Sequence, residues 1–478
     1  MRRWLGLGFF LAGLLAAAFG FARWGATRAL GQQVARAQNL TARRAWLSLA
    51  LRLAAEDPRW WRAWADLGLH QQDWLIVAAA YQGLAQHAPL APHEYALWAR
   101  ARRALNDPEG ARETLRAGLA HYPHASLLWQ DLAVLAEEAR DWPRALEAWT
   151  QAWQQTPDDP QVAYNYARVL TLAQPSEAVE VLRPLAAREA PPWSLAAQTL
   201  LAALEPALAT QDPVYIHVQV GRALARLGHW PLAEANWTRA VWLDPQRADG
   251  WAYLAQAYAR RGDISRAEGA LFLARRAEPT RVLPALTAGW LYTRIDRPYL
   301  ALAWYHRAWS LRPDDPVIAL ALAQTLITTG ATVEQARPLL VYITREQPQN
   351  LDAWLARARF GVQFQRWDTD AWPALLTILR QQPRHPQALV LLGRLARDQG
   401  QTALARRYLT EALRVDPGLA EAHLILAWVL MDQGEWPAAQ RHAAAALELS
   451  PPQDPIFALA QRTLARLQAG QTDPRRAP

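Results

Sequence analysis

The sequence predicts an all-α solenoid, a line of helix-turn-helix units stacked side by side behind one apolar N-terminal helix. Three observations predict it. Proline returns every 34 or 35 residues along most of the 478-residue chain, apolar residues between those prolines recur at helical spacing, and Gly and Pro punctuate the same two places in unit after unit. A chain of this length outgrows a single globular core, so it holds either several domains or a linear array, and the fixed period decides for the array. A hydrophobic content of 52%, rich in Ala, Leu and Trp, suits short packed helices rather than a disordered polymer.

The first element is an uncharged run, Trp4 to Ala22, between Arg2 and Arg3 on one side and Arg23 on the other. At about 1.5 Å per residue such a run spans a bilayer core of roughly 30 Å, with Trp4 and Trp24 at the two interfaces. Residues 1–24 are therefore expected to form a transmembrane anchor, with a cleaved signal peptide as the alternative. Arg2 and Arg3 are balanced by Arg23, Arg28 and Arg36, so the positive-inside rule leaves orientation open. A three-residue tail is most simply left in the cytoplasm. The expectation is a single-pass membrane protein with its array extracytoplasmic.

The repeat follows. Prolines stand at Pro89, Pro123, Pro157 and Pro191, then at Pro245, Pro279 and Pro313, and after Pro348 and Pro383 at Pro417 and Pro451. Forward from Pro245 come Trp251, Leu254, Ala255 and Tyr258, then Ala267, Leu271 and Ala274. The same offsets give Trp129, Leu132, Ala133, Ala145 and Trp149 after Pro123, and Leu392, Gly393, Ala405, Leu409 and Ala412 after Pro383. Small residues such as Ala255 and Ala267 allow two helices to approach closely. Gly228, Gly262, Gly400 and Gly434 are placed to end first helices in the left-handed conformation, and Pro143, Pro231 and Pro437 suit the first turn of the second. One such hairpin cannot bury its own apolar face, whereas stacked neighbours can.

This pattern resembles the tetratricopeptide repeat family, in the layout of its bacterial membrane-anchored members, over most of residues 58–451. The resemblance implies a right-handed superhelix of helix-turn-helix repeats with an inner groove, and a role in protein binding. The phase slips once, dividing the chain into a first array over 25–192, an inserted helix or linker over 193–212, and a second array over 213–451. The insert reads as one helix interrupted near Pro206. A capping helix is expected over 452–470 and a disordered polar tail over 471–478.

The sequence offers no seat for catalysis. It lacks a phosphate-cradling Gly-rich loop, HExxH and GxSxG, and it has no Cys, which excludes disulfides and thiolate metal sites. His121 and His124 bracket Pro123 as a turn pair, and no cofactor or metal is expected. All 51 basic residues are Arg, for a net charge of +8. They are spread along the chain without a dense run, which argues against nucleic acid as a partner. Most of the 25 Trp fill the repeat's large-residue positions.

The resemblance further implies that first helices line the groove, and two rows there stand out. One is mostly apolar: Ala65, Ala96, Gln130, Tyr164, Val218, Ala252, Leu286, Leu320, Leu355, Val390 and Leu424. One turn later runs Leu69, Arg100, Val134, Arg168, Arg222, Gln256, Trp290, Gln324, Arg359, Arg394 and Trp428, in which five of eleven are Arg and none is acidic. Arg103, Arg226 and Arg397 lie one turn further on and widen the basic stripe. Guanidinium forks with Trp290 and Trp428 suit an extended, acidic protein segment. The expected function is a non-catalytic, membrane-anchored scaffold for protein–protein interactions, possible in envelope or polysaccharide assembly. The alternative is a glycan-handling component, either a polysaccharide-export scaffold binding anionic glycan or the detached repeat region of a glycosyltransferase system.

Overall fold

The computed structural model describes residues 33–34, 40–188, 191–330, 333–452 and 454–471. The N-terminal run expected to be an anchor or signal peptide lies outside these residues, as does the tail from 472. Every regular element described is helical, and the chain divides into two compact units between Pro245 and Gln246.

In the first unit a leading helix, Leu40–Leu53, is followed by hairpins of two helices each: Pro58–Gln71 with Trp74–His87, Pro92–Ala104 with Pro108–His121, Ser126–Glu138 with Trp142–Gln155, and Pro160–Leu170 with Pro175–Ala186. Then comes a single helix, Trp193–Ala209, and a last hairpin, Pro213–Arg226 with Trp230–Leu243. The segment expected to break near Pro206 is one continuous helix with that proline inside it. Its apolar stripe of Ala197, Leu200, Leu204 and Ala207 is buried, so packing outweighs the hydrogen bond that the proline deletes.

The second unit repeats the hairpin: Ala248–Arg260 with Ile264–Ala277, Val282–Arg294 with Pro298–Leu311, Pro316–Thr329 with Ala336–Glu346, Leu351–Gln363 with Trp372–Gln381, Pro386–Asp398 with Thr402–Val415, and Ala420–Asp432 with Trp436–Leu449. Pro455–Gln471 then covers the last hairpin, burying Ala460 and Leu467. Gly470 and Gln471 continue that helix.

Local chemistry sets the helix ends. Asp73, Asp107, Asp141 and Asp263 each accept a backbone N–H from the first turn of the helix they precede, satisfying a donor that has no intrahelical partner. Gly262, at φ +81°, turns the chain from one helix to the next in the conformation that glycine adopts without steric cost. Non-glycine residues occupy the same turn elsewhere, among them Gln72 and Gln365. At Gly221 the constraint is space, since a Cβ there would strike the Trp237 indole. The proline-to-tryptophan spacing has a direct cause: the Trp129 indole donates to the Pro123 carbonyl at 2.9 Å and the Trp354 indole to that of Pro348 at 2.8 Å. Each indole closes the loop that leads into its own helix.

Candidate functional site

Most of the first apolar row is not a surface. Ala65, Ala96, Tyr164 and Val218 in the first unit are buried, as are Ala252, Leu355, Val390 and Leu424 in the second. They fill the seams between successive hairpins, where stacking removes the face that a lone hairpin would expose. Only Gln130, Leu286 and Leu320 of this row are half-buried rather than buried, which leaves an apolar partner segment little of it to use.

The second row is more open, but many of its guanidinium groups have partners within the chain. Arg100 donates through Nε to both carboxylate oxygens of Asp131, at 3.0 and 2.9 Å, and Arg103 pairs with Glu138 at 3.5 Å. Burial pushes the Asp131 carboxyl above its usual range, and the hydrogen bond from Arg100 offsets only part of this. Arg168 lies inside the first unit, 7% exposed. Its two Nη groups grip Glu137 at 2.8 and 2.9 Å while Nε donates to Asn165 at 2.8 Å. Glu137 also accepts the indole N–H of buried Trp149 at 2.6 Å. Arg168 thus holds two repeats together and presents nothing to a partner. Arg222 donates to Gln219 at 2.9 Å, and Arg226 is exposed.

Beside Arg168 the Tyr164 hydroxyl lies 3.0 Å from His229 Nε2. Burial drives the tyrosine up to about 12 and the histidine down to about 4; the charge of Arg168 lowers both, opposing burial at the tyrosine and reinforcing it at the histidine.

In the second unit the row is freer. Arg359 is exposed and Arg394 half-buried, and neither has a carboxylate within ion-pair distance among the described residues. Trp290 is exposed, with the Arg294 guanidinium 5.9 Å from its ring centroid. Arg397 pairs with Asp432 at 2.9 Å and lies 5.3 Å from the centre of the Trp428 ring. The Trp428 N–H donates to Thr463 of the last helix at 3.0 Å, and that helix contributes Arg462 and Arg466. These groups enclose a cleft of about 590 Å³ floored by Trp428 and Met431, in which three guanidinium groups face one carboxylate.

What the sequence analysis missed is the set of acids. Arg62 with Glu94, Arg100 with Asp131, Arg281 with Asp249, Arg337 with Asp370 and Arg397 with Asp432 are each separated by about one repeat. A search for Arg and acid 31 to 35 residues apart would have found them. Asp370 is fully buried and takes hydrogen bonds from Arg337 and Arg357 at 2.8 and 3.1 Å. Burial raises its carboxyl, and the two guanidinium groups more than reverse this, leaving it below the usual value. Also missed were His423 and His442, whose Nδ1 atoms lie 2.8 Å apart across one hairpin. Among the described residues no group of three or more His, Asp or Glu side chains could hold a metal ion.

The tetratricopeptide repeat family model matches residues 97–160, 220–280 and 390–455. The chain carries tetratricopeptide repeats of this family in those three regions. Solved structures with similar folds include a tetratricopeptide repeat protein from Parabacteroides merdae (15% identity, TM-score 0.45), covering 53% of this chain and 99% of that one. Yeast Tom70 (15% identity, TM-score 0.39) covers 94% and 98%, and TTC0263 from Thermus thermophilus (22% identity, TM-score 0.35) covers 39% and 100%. No curated protein matches the chain. Tetratricopeptide arrays are in general scaffolds that bind proteins or peptides. Among the described residues no helix of this one is long and apolar enough to cross a membrane.

Proposed function

We propose that this tetratricopeptide protein is a non-catalytic scaffold that binds an extended, acidic segment of a partner protein along the first helices of its second unit, with the apolar run over residues 4–22 as its membrane anchor and the array on the extracytoplasmic side. The observation that carries the binding reading is the imbalance of charge around the last hairpin. Arg462 and Arg466 have no carboxylate partner among the described residues, and with Arg397 they line the cleft beside the half-buried Trp428. Guanidinium forks take carboxylates two bonds at a time, and an indole face supplies flat apolar contact between them. In the first unit, by contrast, Arg100, Arg103 and Arg168 already have acids. The partner-binding stripe is therefore assigned to Trp290, Arg359, Arg394, Arg397 and Trp428, joined by Arg462 and Arg466.

The test is capture from detergent-solubilised membranes of the native host, with the tagged full chain beside a variant carrying Arg359→Glu, Arg394→Glu and Arg466→Glu. The three positions are half-buried or exposed, so the variant should keep the wild-type circular dichroism. A protein recovered with the wild type and lost with the variant supports the scaffold. Recovery of an anionic glycan in its place would replace the protein ligand with a polymer, and an unchanged set of captured proteins would refute the groove.

A further inference from the structure

Away from the groove, successive second helices leave crevices between them, and three of these can be compared. In the first unit, the crevice between Pro108–His121 and Trp142–Gln155 places Arg112, Arg116 and Arg144 beside Asp141 and Glu147. In the second unit, the one along Thr402–Val415 places Arg406, Arg407 and Arg414 beside Glu411. In both, arginines pair with acids: Arg144 with Asp141 at 3.0 Å, Arg414 with Glu411 at 2.7 Å. The crevice between Ile264–Ala277 and Pro298–Leu311 differs. It encloses about 490 Å³ and its lining contains Arg275, Arg276, Arg281 and Arg307 with no acidic residue.

Of those four guanidinium groups only Arg281 has a carboxylate, Asp249, at 2.6 Å. Arg275 lies 4.8 Å from the centre of the Trp304 ring, and Arg307 makes one long hydrogen bond of 3.5 Å to the Pro279 carbonyl. Arg276 has no charged partner among the described residues. Three positive charges thus converge on one concavity with Phe272, itself 57% exposed, at its edge. Like charges held together without counter-charge cost stability, and nothing in the stacking of the hairpins calls for them.

We infer that this crevice is a binding site for a multiply charged phosphoryl anion, separate from the partner-binding stripe and independent of it. A single carboxylate would leave two of the three unpaired charges unmatched, whereas a diphosphate carries enough charge and enough acceptor oxygens to meet all three forks. The aromatic edge adds room for an apolar group attached to the phosphate. A lipid headgroup with a phosphomonoester presents the same chemistry from a surface, and the experiment separates the two sources.

The full chain in detergent is titrated calorimetrically with inorganic diphosphate, then with citrate at equal ionic strength, beside the variant Arg276→Gln, Arg307→Gln. Both side chains are exposed, and circular dichroism confirms the fold of the variant. Diphosphate is expected to bind one site, to lose roughly tenfold or more in affinity in the variant, and to weaken with rising chloride. In parallel the chain is sedimented with phosphatidate vesicles, whose headgroup is a phosphomonoester. Vesicle binding that diphosphate displaces and the variant loses assigns the phosphoryl source to lipid. Citrate binding as tight as diphosphate overturns the phosphoryl preference, and diphosphate binding that is absent or unchanged in the variant overturns the site.

Discussion

Replacing Arg168 by Met should destabilise the first unit more than any other change to an arginine of the predicted groove. The guanidinium is almost wholly buried and spends all three nitrogens on the Glu137 carboxylate and Asn165. Without it, Glu137, only 17% exposed, keeps the Trp149 indole as its one hydrogen-bond donor. Breaking a buried pair from one side costs about 3–5 kcal/mol, because an uncompensated charge stays behind. Adding Glu137→Gln removes that charge and still offers the indole an oxygen, so the double variant should recover about 2 kcal/mol or more of the loss. Arg168→Lys should fail as well, since one ammonium cannot span the two carboxylate oxygens and Asn165. Repeat arrays do not unfold in one step, so the appropriate assay is hydrogen exchange of Ser126–Glu138 and Pro160–Leu170, which meet at this network. An Arg168→Met variant within about 1 kcal/mol of wild type, or a double variant worse than the single one, would refute the reasoning.

Acid should loosen the same region. His229 is held down to about 4 against 6.5 in the unfolded chain, so below pH 6.5 the unfolded state binds the extra proton. The neutral imidazole's contribution, about 3 kcal/mol, is complete above pH 6.5 and lost as pH falls toward 4. Thermal melts at pH 7 and pH 4.5 should converge in His229→Gln, and a variant as acid-sensitive as the wild type would exclude this histidine as the cause. Asp370→Ala should cost the second unit about 3 kcal/mol, because Arg337 and Arg357 lose a shared, fully buried acceptor; exchange rates of Leu351–Gln363 measure it. Gly262→Ala should cost about 1 kcal/mol by backbone conformation alone, as nothing lies within reach of the added methyl group. Gln365→Gly, at φ +54°, should be neutral or stabilising, and a melting temperature that falls in the glycine variant would contradict the left-handed turn assigned there.

The hairpins were legible because their signals are local. Proline, glycine and aspartate act on the turn they occupy, and a tryptophan six residues after its proline closes a loop within the same hydrogen-bonded segment. The buried roles of Trp149 and Trp237 follow from the same periodicity. The site was less legible, since each arginine's use depends on what the next repeat brings within 3 Å. Arg100 and Arg394 hold equivalent positions in the row, yet Asp131 meets one and no carboxylate meets the other. Tyr164 and His229 are 65 residues apart, and no repeat spacing joins them. The apolar row misled for a different reason: helical phase gives a direction from the axis, not whether that direction ends in solvent or in the neighbouring hairpin.

An arginine complement of 51 without a lysine therefore divides by partner rather than by position. Where an acid stands one repeat away, the fork staples hairpins together, as at Arg62, Arg100, Arg281 and Arg337. Where none does, the charge remains at the surface. In the second unit two groups of unmatched charges stand together, Arg462 with Arg466 near Trp428, and Arg275 with Arg276 and Arg307 near Trp304. Stacking needs neither group, because the helices that carry them bury Ala274, Ala308, Ala460 and Leu467 whether or not those charges are present. A stapling arginine and a binding arginine can then be told apart by one criterion. Substituting the first changes exchange rates in two adjacent hairpins, and substituting the second changes only what the protein holds.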